Sequence, residues 1–253
     1  MSDKLPERTP TVHDEAALEA RRRFLVRALS SGLLLGGAGW NLPALAALFG
    51  KLPGKMPAGK SVFDLKGTVK VDGQPATRDT LVTAQSRVET SADSFVILAV
   101  GDGAFIVRER SVLELSGKQL LVRGLQMLTG GLLSVFGHRG EDDGVEVNTP
   151  TATIGIRGTG FYTESAADKT YFCTCYGRTR IGVAGAGESE EVVSKHHDAP
   201  RWILARPDQG RRIVPAPFRN HTDLELMTLE ALCGRQVPFV VPEDSYQAPR
   251  RDY

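Results

Sequence analysis

The chain has 253 residues, of which 41% are hydrophobic, and a formal net charge of +1 at pH 7. This hydrophobic content suffices for the core of one domain, or of one domain with an extension. The near-neutral charge argues against a nucleic-acid-binding module, because such modules concentrate basic residues in one patch. Beyond the first fifty residues the basic side chains are interleaved with acidic ones, and the sequence therefore predicts no nucleic-acid partner.

The N-terminal segment resembles a twin-arginine export signal. Arg21 and Arg22 are followed by Phe24 and Leu25, and then by the weakly apolar run ALSSGLLLGGAGW. Signals of this kind are addresses read by a receptor rather than elements of the fold. Residues 1–46 are therefore predicted to direct the chain to the periplasm.

Two fates of this segment stay open, next to the simpler interpretation as an amphipathic helix with a basic start. The small residues Ala44 and Ala46 offer a cleavage site. Alternatively, residues 28–50 carry no charge and could remain as an inner-membrane anchor, since about 20 apolar residues suffice to cross a bilayer. The Pro/Gly/Lys-rich residues 47–60 are predicted to be a linker to the exported part.

Residues 61–185 have the pattern of short strands. Runs rich in Val, Ile, Thr and Phe break at Asp72-Gly73 and Asp102-Gly103, dipeptides typical of tight hairpin turns. A Leu-rich run predicts a buried strand pair around Gly130-Gly131. The predicted fold class is mainly β, a stacked β-sheet sandwich or a solenoid-like domain with a short C-terminal helix.

Residues 186–253 are predicted to form a C-terminal extension made of a β hairpin, a helix and an irregular tail. The helix is expected at about 222–234, because Thr222 and Glu225 have the spacing of a capping box. A Leu/Met/Ala-rich run follows them and ends at Gly234, a residue that commonly stops a helix.

The strand-rich part resembles a FecR domain. The resemblance rests on the runs GTVKVDGQPA, VETSADSFVILAVGDGAFIVRERSVLEL, NTPTATIGIRGTGFY and TYFCTCYGRTRI, and covers residues 61–183, about half of the chain. Its most specific part runs from Thr149 and Pro150 to the motif Arg157-Gly158-Thr159. The resemblance implies an exported β domain of the type found in iron-citrate-type regulators.

In that family the domain lies in the periplasm and contacts the signalling segment of an outer-membrane TonB-dependent transporter. The signal then reaches a sigma factor through a cytoplasmic helical domain at the N-terminus. The roughly twenty residues before the arginines are too few for such a helical bundle. The expected function is therefore a non-catalytic sensing or scaffolding module in envelope signalling, with an envelope protein such as an outer-membrane transporter as partner.

The Arg157-Gly158-Thr159 motif permits two interpretations. Glycines allow a close backbone approach or a positive φ, and the guanidinium of Arg157 can donate to backbone carbonyls. The motif is then a structural corner. Alternatively, Arg157 binds a ligand, because a guanidinium suits planar carboxylates.

Cys173 and Cys175 lie in the run YFCTCYG, which is predicted to be a strand. Alternate side chains of a strand share a face, so both thiols are expected on one side, roughly 7 Å apart. A disulfide between them is disfavoured by this geometry. They are either small apolar core residues, or one of them is bridged to Cys233, or they bind a metal.

The metal interpretation brings in the run EEVVSKHHDAP, which is expected to return beside the thiols and to place His196 or His197 opposite them. Two thiolates and one or two imidazoles suit Zn²⁺ or copper. His221, just before the predicted helix, is either a further ligand or a loop histidine. The alternative function is therefore a periplasmic metal-binding protein that uses Cys173, Cys175 and the His pair.

No enzyme signature is found in the sequence. It contains no Gly-x-Ser-x-Gly, no phosphate loop, no dinucleotide fingerprint and no His-Glu-x-x-His. The acidic run Glu141-Asp142-Asp143 sits between glycines, as expected of a solvated turn. The chain is predicted to act by binding rather than by catalysis.

Overall fold

The structure is a computed structural model that describes residues 52–140 and 143–240. The export-signal residues and the apolar run 28–50 lie outside the described residues, so their interpretation stays a prediction. In the two described ranges, no helix is both long enough and apolar enough to span a membrane.

The described part of the chain is mainly β, which confirms the predicted mainly β class with a short C-terminal helix. The strands are β1 (Val62–Lys66), β2 (Val69–Val71), β3 (Gln74–Pro75), β4 (Arg87–Thr90), β5 (Phe95–Val100), β6 (Gly103–Val107), β7 (Val112–Lys118), β8 (Leu121–Phe136), β9 (Val145–Asn148), β10 (Ala152–Ser165), β11 (Lys169–Val183), β12 (Ser189–Ser194), β13 (Arg201–Asp208) and β14 (Arg211–Pro215). The helix is α1 (Asp223–Leu232).

These fourteen strands join one sheet, whose main path runs β14-β13-β11-β10-β9-β8-β7-β4-β2-β3. The pairing of β8 with β9 is parallel, and the neighbouring pairs along the path are antiparallel. The long strands change partners along their length. β10 pairs first with β9 and then with β8, and β11 pairs first with β13 and then with β12. Such changes at bulges turn the corners of a sheet.

The sheet continues across the predicted boundary at residue 185. Strands β12 and β13 belong to the predicted C-terminal extension, and both pair with β11, which lies within residues 61–185. The extension is therefore built onto the same sheet, and it brings its own side chains next to those of β11.

Of the two hairpin turns predicted, the first is found at the predicted residues and the second is not. Asp72 and Gly73 both have positive φ values, 51° and 78°, between the paired strands β2 and β3, as a type I′ turn requires. The second turn is shifted by one residue from the prediction. Gly101 rather than Gly103 has the positive φ, +62°, because Gly103 already pairs with Val100 in the ladder of β5 and β6.

The Leu-rich run is extended, as predicted, but it does not form a pair of strands. It is the single strand β8, whose first part pairs with β7 and whose last part pairs with β6 and β10. Gly130 has a φ of +89° at the point where the partners change. The glycine pair therefore marks a bend within one strand and not a turn between two strands. A Gly-Gly pair in the sequence does not distinguish these two cases.

Helix α1 is anchored to the sheet near both of its ends. At the N-terminus, Arg108, which directly follows β6, donates to the carbonyl of Asn220 (2.8 Å) and to the carboxylate of Glu225 (3.0 Å). Near the C-terminus, Glu230 accepts a hydrogen bond from the hydroxyl of Tyr176 on β11. Because Glu225 is buried, loss of either partner in the Arg108 pair leaves an uncompensated charge. The helix is therefore held in one position over the sheet.

The central parts of β10 and β11 are buried on both faces. One face carries Phe161 and Phe172, whose rings stack at 5.3 Å within the main apolar cluster. The other face is covered by α1 and by the segment before it, since Tyr171 donates its hydroxyl to the carbonyl of Pro217 (3.1 Å). Cys173 and Cys175 lie in this doubly covered stretch.

The bend in β8 generates a stability prediction for Gly130→Ala. A Cβ at residue 130 would lie 2.1 Å from Ser111 Oγ and 2.5 Å from Ser111 Cα, at a φ of +89°. The free energy of unfolding, measured by urea denaturation, is expected to fall by about 2–4 kcal/mol.

The matched control is Gly155→Ala on β10, where an added Cβ meets no heavy atom within 4 Å. Its free energy of unfolding should change by less than about 1 kcal/mol. Equal effects of the two substitutions would contradict the assignment of Gly130 as the bend.

Candidate functional site

Cys173 and Cys175 sit at a bulge in β11. Thr174 pairs with Phe161 and Tyr176 pairs with Gly160, so Cys175 is the extra residue. Bulges re-aim side chains and are common beside functional sites. Both thiols are free and buried, and both point to the same side of β11, as strand alternation predicts. Their sulfur atoms lie within 4.8 Å of each other.

The turn after β12 presents the two adjacent histidines. The carboxylate of Asp198 accepts the backbone N–H of Lys195 (2.7 Å), which closes the turn. The backbone N–H of His197 donates to the carbonyl of Cys175 (2.9 Å). His197 has a φ of +55°, which residues other than glycine adopt rarely and often at functional sites. This backbone geometry places the His197 ring over the thiols.

His221 comes to the same point from the start of α1. Thr222 is the N-cap of the helix, and its side chain accepts the backbone N–H of Glu225 (3.3 Å) while the Glu225 carboxylate accepts the N–H of Thr222 (2.9 Å). This capping box is the one predicted from the sequence. Because it sets where the chain enters the helix, it also directs the buried side chain of His221 toward β11.

Four potential ligand atoms therefore meet inside the protein. We call Cys173, Cys175, His197 and His221 the inner cluster; all four are buried. The His197 Nδ1 lies 3.6 Å from the sulfur of Cys173, the His221 Nε2 lies 3.3 Å from the sulfur of Cys175, and the two nitrogens are 3.1 Å apart. Tetrahedral zinc with two sulfur and two nitrogen ligands implies ligand separations of about 3.3–3.8 Å. The inner cluster is close to this geometry.

The outer nitrogens of both imidazoles are engaged by acceptors. His221 Nδ1 lies 2.7 Å from the carbonyl oxygen of Arg219, which can only accept, so this nitrogen carries the proton. His197 Nε2 donates to the carboxylate of Asp223 at 3.0 Å. In the neutral rings, the inner nitrogens then both present lone pairs. A carboxylate or carbonyl behind a histidine is the usual support of a metal-bound imidazole.

The ionisation of the two thiols is coupled. Burial favours the neutral form of Cys173, but hydrogen bonds from Cys175 and His197 and the charge of His221 outweigh it and lower the Cys173 pKa well below its usual value. At Cys175, burial and the neighbouring Cys173 raise the pKa. The surroundings thus favour the ionised form at Cys173 and the neutral form at Cys175. Binding of a metal by both sulfurs requires release of the second proton.

The surroundings of His197 favour its protonated form. Burial lowers its pKa, but hydrogen bonds with Asp223 and Cys173 outweigh burial and raise it. A proton on His197 Nδ1 can be donated to His221 Nε2. When both nitrogens instead present lone pairs, a metal cation can satisfy them together with the two sulfurs.

A second set of ligand atoms shares His197. We call His196, His197 and Asp223 the outer group, in which one ligand atom of each residue lies within 4.8 Å of the others. His196 Nε2 lies 2.9 and 3.0 Å from the two carboxylate oxygens of Asp223. Burial raises the Asp223 pKa, but the hydrogen bonds of both histidines outweigh it and lower the pKa. Asp223 is therefore an anion between two imidazoles.

Aromatic rings enclose these imidazoles. Tyr162 stacks on His221 at 4.7 Å, and Phe218 contacts both His197 (4.5 Å) and His221 (4.4 Å). Phe239 lies 4.4 Å from the His196 ring. This wall excludes water from the inner cluster and strengthens electrostatic interactions inside it.

The motif residues form the corner next to the cluster. Gly158 has a φ of +56°, and the hydroxyl of Thr159 donates to the carbonyls of Arg157 (3.0 Å) and Arg178 (3.1 Å). A Cβ on Gly177, two residues after Cys175, would lie 2.7 Å from the carbonyl oxygen of Gly158.

The N-terminal end of the motif, Thr149 and Pro150, lies in the turn between β9 and β10. Thr149 and Thr151 both share hydrogen bonds of 2.7 Å with the hydroxyl of Thr170, and Pro150 lies between them. Thr149, Gly158 and Thr159 therefore have a structural role in this corner, whereas binding of a ligand by Arg157 stays a prediction. The side chain of Arg157 is exposed.

The structure brings together three of the four predicted metal ligands. Cys173, Cys175 and His197 are in the inner cluster, whereas His196 lies one step outward, beside Asp223. The fourth member is His221, which the sequence left open between a ligand and a loop histidine. Its position depends on how α1 docks, and a His adjacent to a capping Thr was its only sequence signal.

Asp223 was not predicted as a functional residue. Its signal is its place as the first residue of α1, where an acidic residue is also expected for reasons of helix stability alone. Cys233 is a free thiol at the C-terminal end of α1. A ten-residue helix is about 15 Å long, so His221 and Cys233 are at opposite ends, and the predicted bridge from Cys233 to the thiol pair is not present.

No protein-family model and no curated protein matches the chain. Among solved structures, it is similar to two crystal structures named as candidate anti-sigma factors from Parabacteroides distasonis. The first is 10% identical, with a TM-score of 0.42 over 51% of this chain and 58% of the other; this chain thus spans little more than half of that protein's length. The second is 12% identical, with a TM-score of 0.43 over 64% of this chain and 82% of the other.

Proposed function

We propose that this chain is a non-catalytic metal-binding module of the bacterial envelope, in which the inner cluster holds one Zn²⁺ ion. The observation that carries the proposal is the pair of imidazole nitrogens 3.1 Å apart, each with its opposite nitrogen bound to an obligate acceptor and each next to a cysteine sulfur. Zinc satisfies both lone pairs and both sulfurs at once.

Charge favours Zn²⁺ over Cu⁺ at this position. Two thiolates and two neutral imidazoles carry a charge of –2, which a dication neutralises within the cluster. A monovalent copper ion would leave one negative charge in a buried place, and an uncompensated buried charge is strongly unfavourable. Copper is therefore the second choice, although soft thiolates also suit Cu⁺.

The coordination supports a structural role for the ion. All four tetrahedral positions are supplied by the protein, and a catalytic zinc site keeps one position open for water or substrate. The ion would join strand β11, the turn after β12 and the start of α1. We infer that it holds the C-terminal extension on the FecR-like sheet.

The wider role follows from the sequence. The resemblance of residues 61–183 to FecR domains and the twin-arginine-like segment support a periplasmic sensing or scaffolding module in envelope signalling. The proposed partner is another envelope protein, for which an outer-membrane transporter is the first candidate. Twin-arginine export, which carries folded proteins, is compatible with loading the metal before export.

The metal proposal predicts one zinc ion per chain in protein purified under reducing conditions, measured by elemental analysis. Cys175→Ala and His221→Ala each remove one of the four ligands. Each should lower the affinity for Zn²⁺ by at least about a hundredfold, measured by competition with a chromophoric chelator.

Cys233→Ala is the matched control, because it removes a thiol that lies at the other end of α1. It should retain one zinc ion and an unchanged affinity. A wild-type chain with no stoichiometric metal, or a Cys175→Ala variant that binds zinc as tightly as the wild type, would overturn the proposal.

The partner proposal predicts that a photo-crosslinker on the exposed Arg157 side chain captures an envelope protein in intact cells. The same probe at the exposed Lys70 on β2 serves as the control for nonspecific capture. Recovery of a transporter by the first probe alone is expected. Identical captures from both probes, or capture of cytoplasmic proteins, would contradict a periplasmic binding role of this corner.

A further inference from the structure

The inner cluster has no solvent-exposed ligand. The residue accessibilities of its four members are 0% for Cys173, 0% for Cys175, 5% for His197 and 1% for His221. A metal site that is closed in this way still needs a path by which the ion enters. On the proposed function, a cation from solvent must first meet other groups.

The outer group lies on the side of His197 that faces away from the thiols. The His196 side chain is 21% exposed, whereas that of Asp223 is 2% exposed. His196 forms one boundary of the site together with Phe239. Phe239 also lines, with Tyr176 and Lys195, an open cavity of about 760 Å³. The outer group is therefore the nearest set of ligand atoms on the solvent side of the inner cluster.

His197 connects the two sets through the opposite nitrogens of one ring. Its Nδ1 faces the sulfur of Cys173 at 3.6 Å, and its Nε2 faces the Asp223 carboxylate at 3.0 Å. A neutral imidazole has one lone pair, so it can serve only one side at a time. With the proton on Nδ1, the Nε2 completes the outer group; with the proton on Nε2, the Nδ1 completes the inner cluster.

We propose that His196, Asp223 and the Nε2 of His197 form a loading site, at which a divalent cation binds before it moves to the inner cluster. This inference rests on the proposed function. Two imidazoles and one carboxylate are suitable ligands for such a cation. When the ion moves inward, His197 exchanges the proton on Nδ1 for one on Nε2 through solvent, which restores the hydrogen bond to Asp223 and keeps the ring neutral, and the second cysteine releases its thiol proton to solvent.

The loading site distinguishes His196 from a ligand of the final site. Loss of the His196 imidazole should slow zinc uptake without changing the amount of zinc bound at equilibrium. A merely structural His196 would change stability and leave the uptake rate unaffected. The rate of uptake is therefore the informative quantity.

The experiment uses the full chain, freed of metal and kept reduced, and follows Zn²⁺ uptake by stopped-flow with a chromophoric chelator as competitor. His196→Gln retains a donor for Asp223 but removes the ligating nitrogen. We expect one bound zinc ion per chain at equilibrium and uptake slower by about tenfold. His138→Gln, the same substitution at an exposed histidine outside both ligand sets, is the control and should load at the wild-type rate.

An unchanged uptake rate in His196→Gln would overturn the loading site, and so would loss of stoichiometric zinc, which would make His196 a ligand of the final site. If the wild type itself binds no zinc, the proposed function fails instead. A second measurement covers the case in which His196→Gln does not fold. The Cys173→Ala/Cys175→Ala variant should retain weak Zn²⁺ binding through the outer group, and the added substitution Asp223→Asn should abolish this binding. Equal Zn²⁺ binding with and without Asp223→Asn would overturn the loading site.

Discussion

Two imidazole nitrogens, Nδ1 of His197 and Nε2 of His221, lie 3.1 Å apart inside this protein, so a proton or a metal cation between them is needed to offset the repulsion of their lone pairs. The constraint arises on the outer sides of the rings, where a carbonyl behind His221 and a carboxylate behind His197 each demand a hydrogen bond. Two cysteine sulfurs complete the surroundings. A proton can balance this cluster, but a dication satisfies all four groups together.

The rest of the fold serves to bring these groups to one point. Strand alternation in β11 puts both sulfurs on one side, next to the bulge at Cys175, and the turn after β12 holds His197 in a left-handed conformation. The capping box of α1 aims His221, and the buried pair between Arg108 and Glu225 holds the helix in place. A cation at this point would connect three segments that are distant in sequence. The docking of the C-terminal extension would then depend on its presence.

Local patterns were sufficient to predict much of this arrangement. Strand alternation placed Cys173 and Cys175 on one side, and the Gly-rich connection predicted the return that brings His197 to them. His221 could not be placed in the same way, because its position follows from an ion pair between residues 117 apart in sequence. The prediction of a strand pair in the Leu-rich run was wrong for a different reason. A glycine pair interrupts a pattern equally at a turn and at a bend, and only the pairing partners distinguish the two.

The most direct test of the central claim is X-ray absorption spectroscopy at the zinc edge on the reduced, zinc-loaded full chain. Two sulfur neighbours at about 2.3 Å and two nitrogen neighbours at about 2.0–2.1 Å are predicted for the first coordination shell. A shell made only of oxygen and nitrogen atoms would contradict the proposed zinc site, since the thiols of β11 would then not bind the metal.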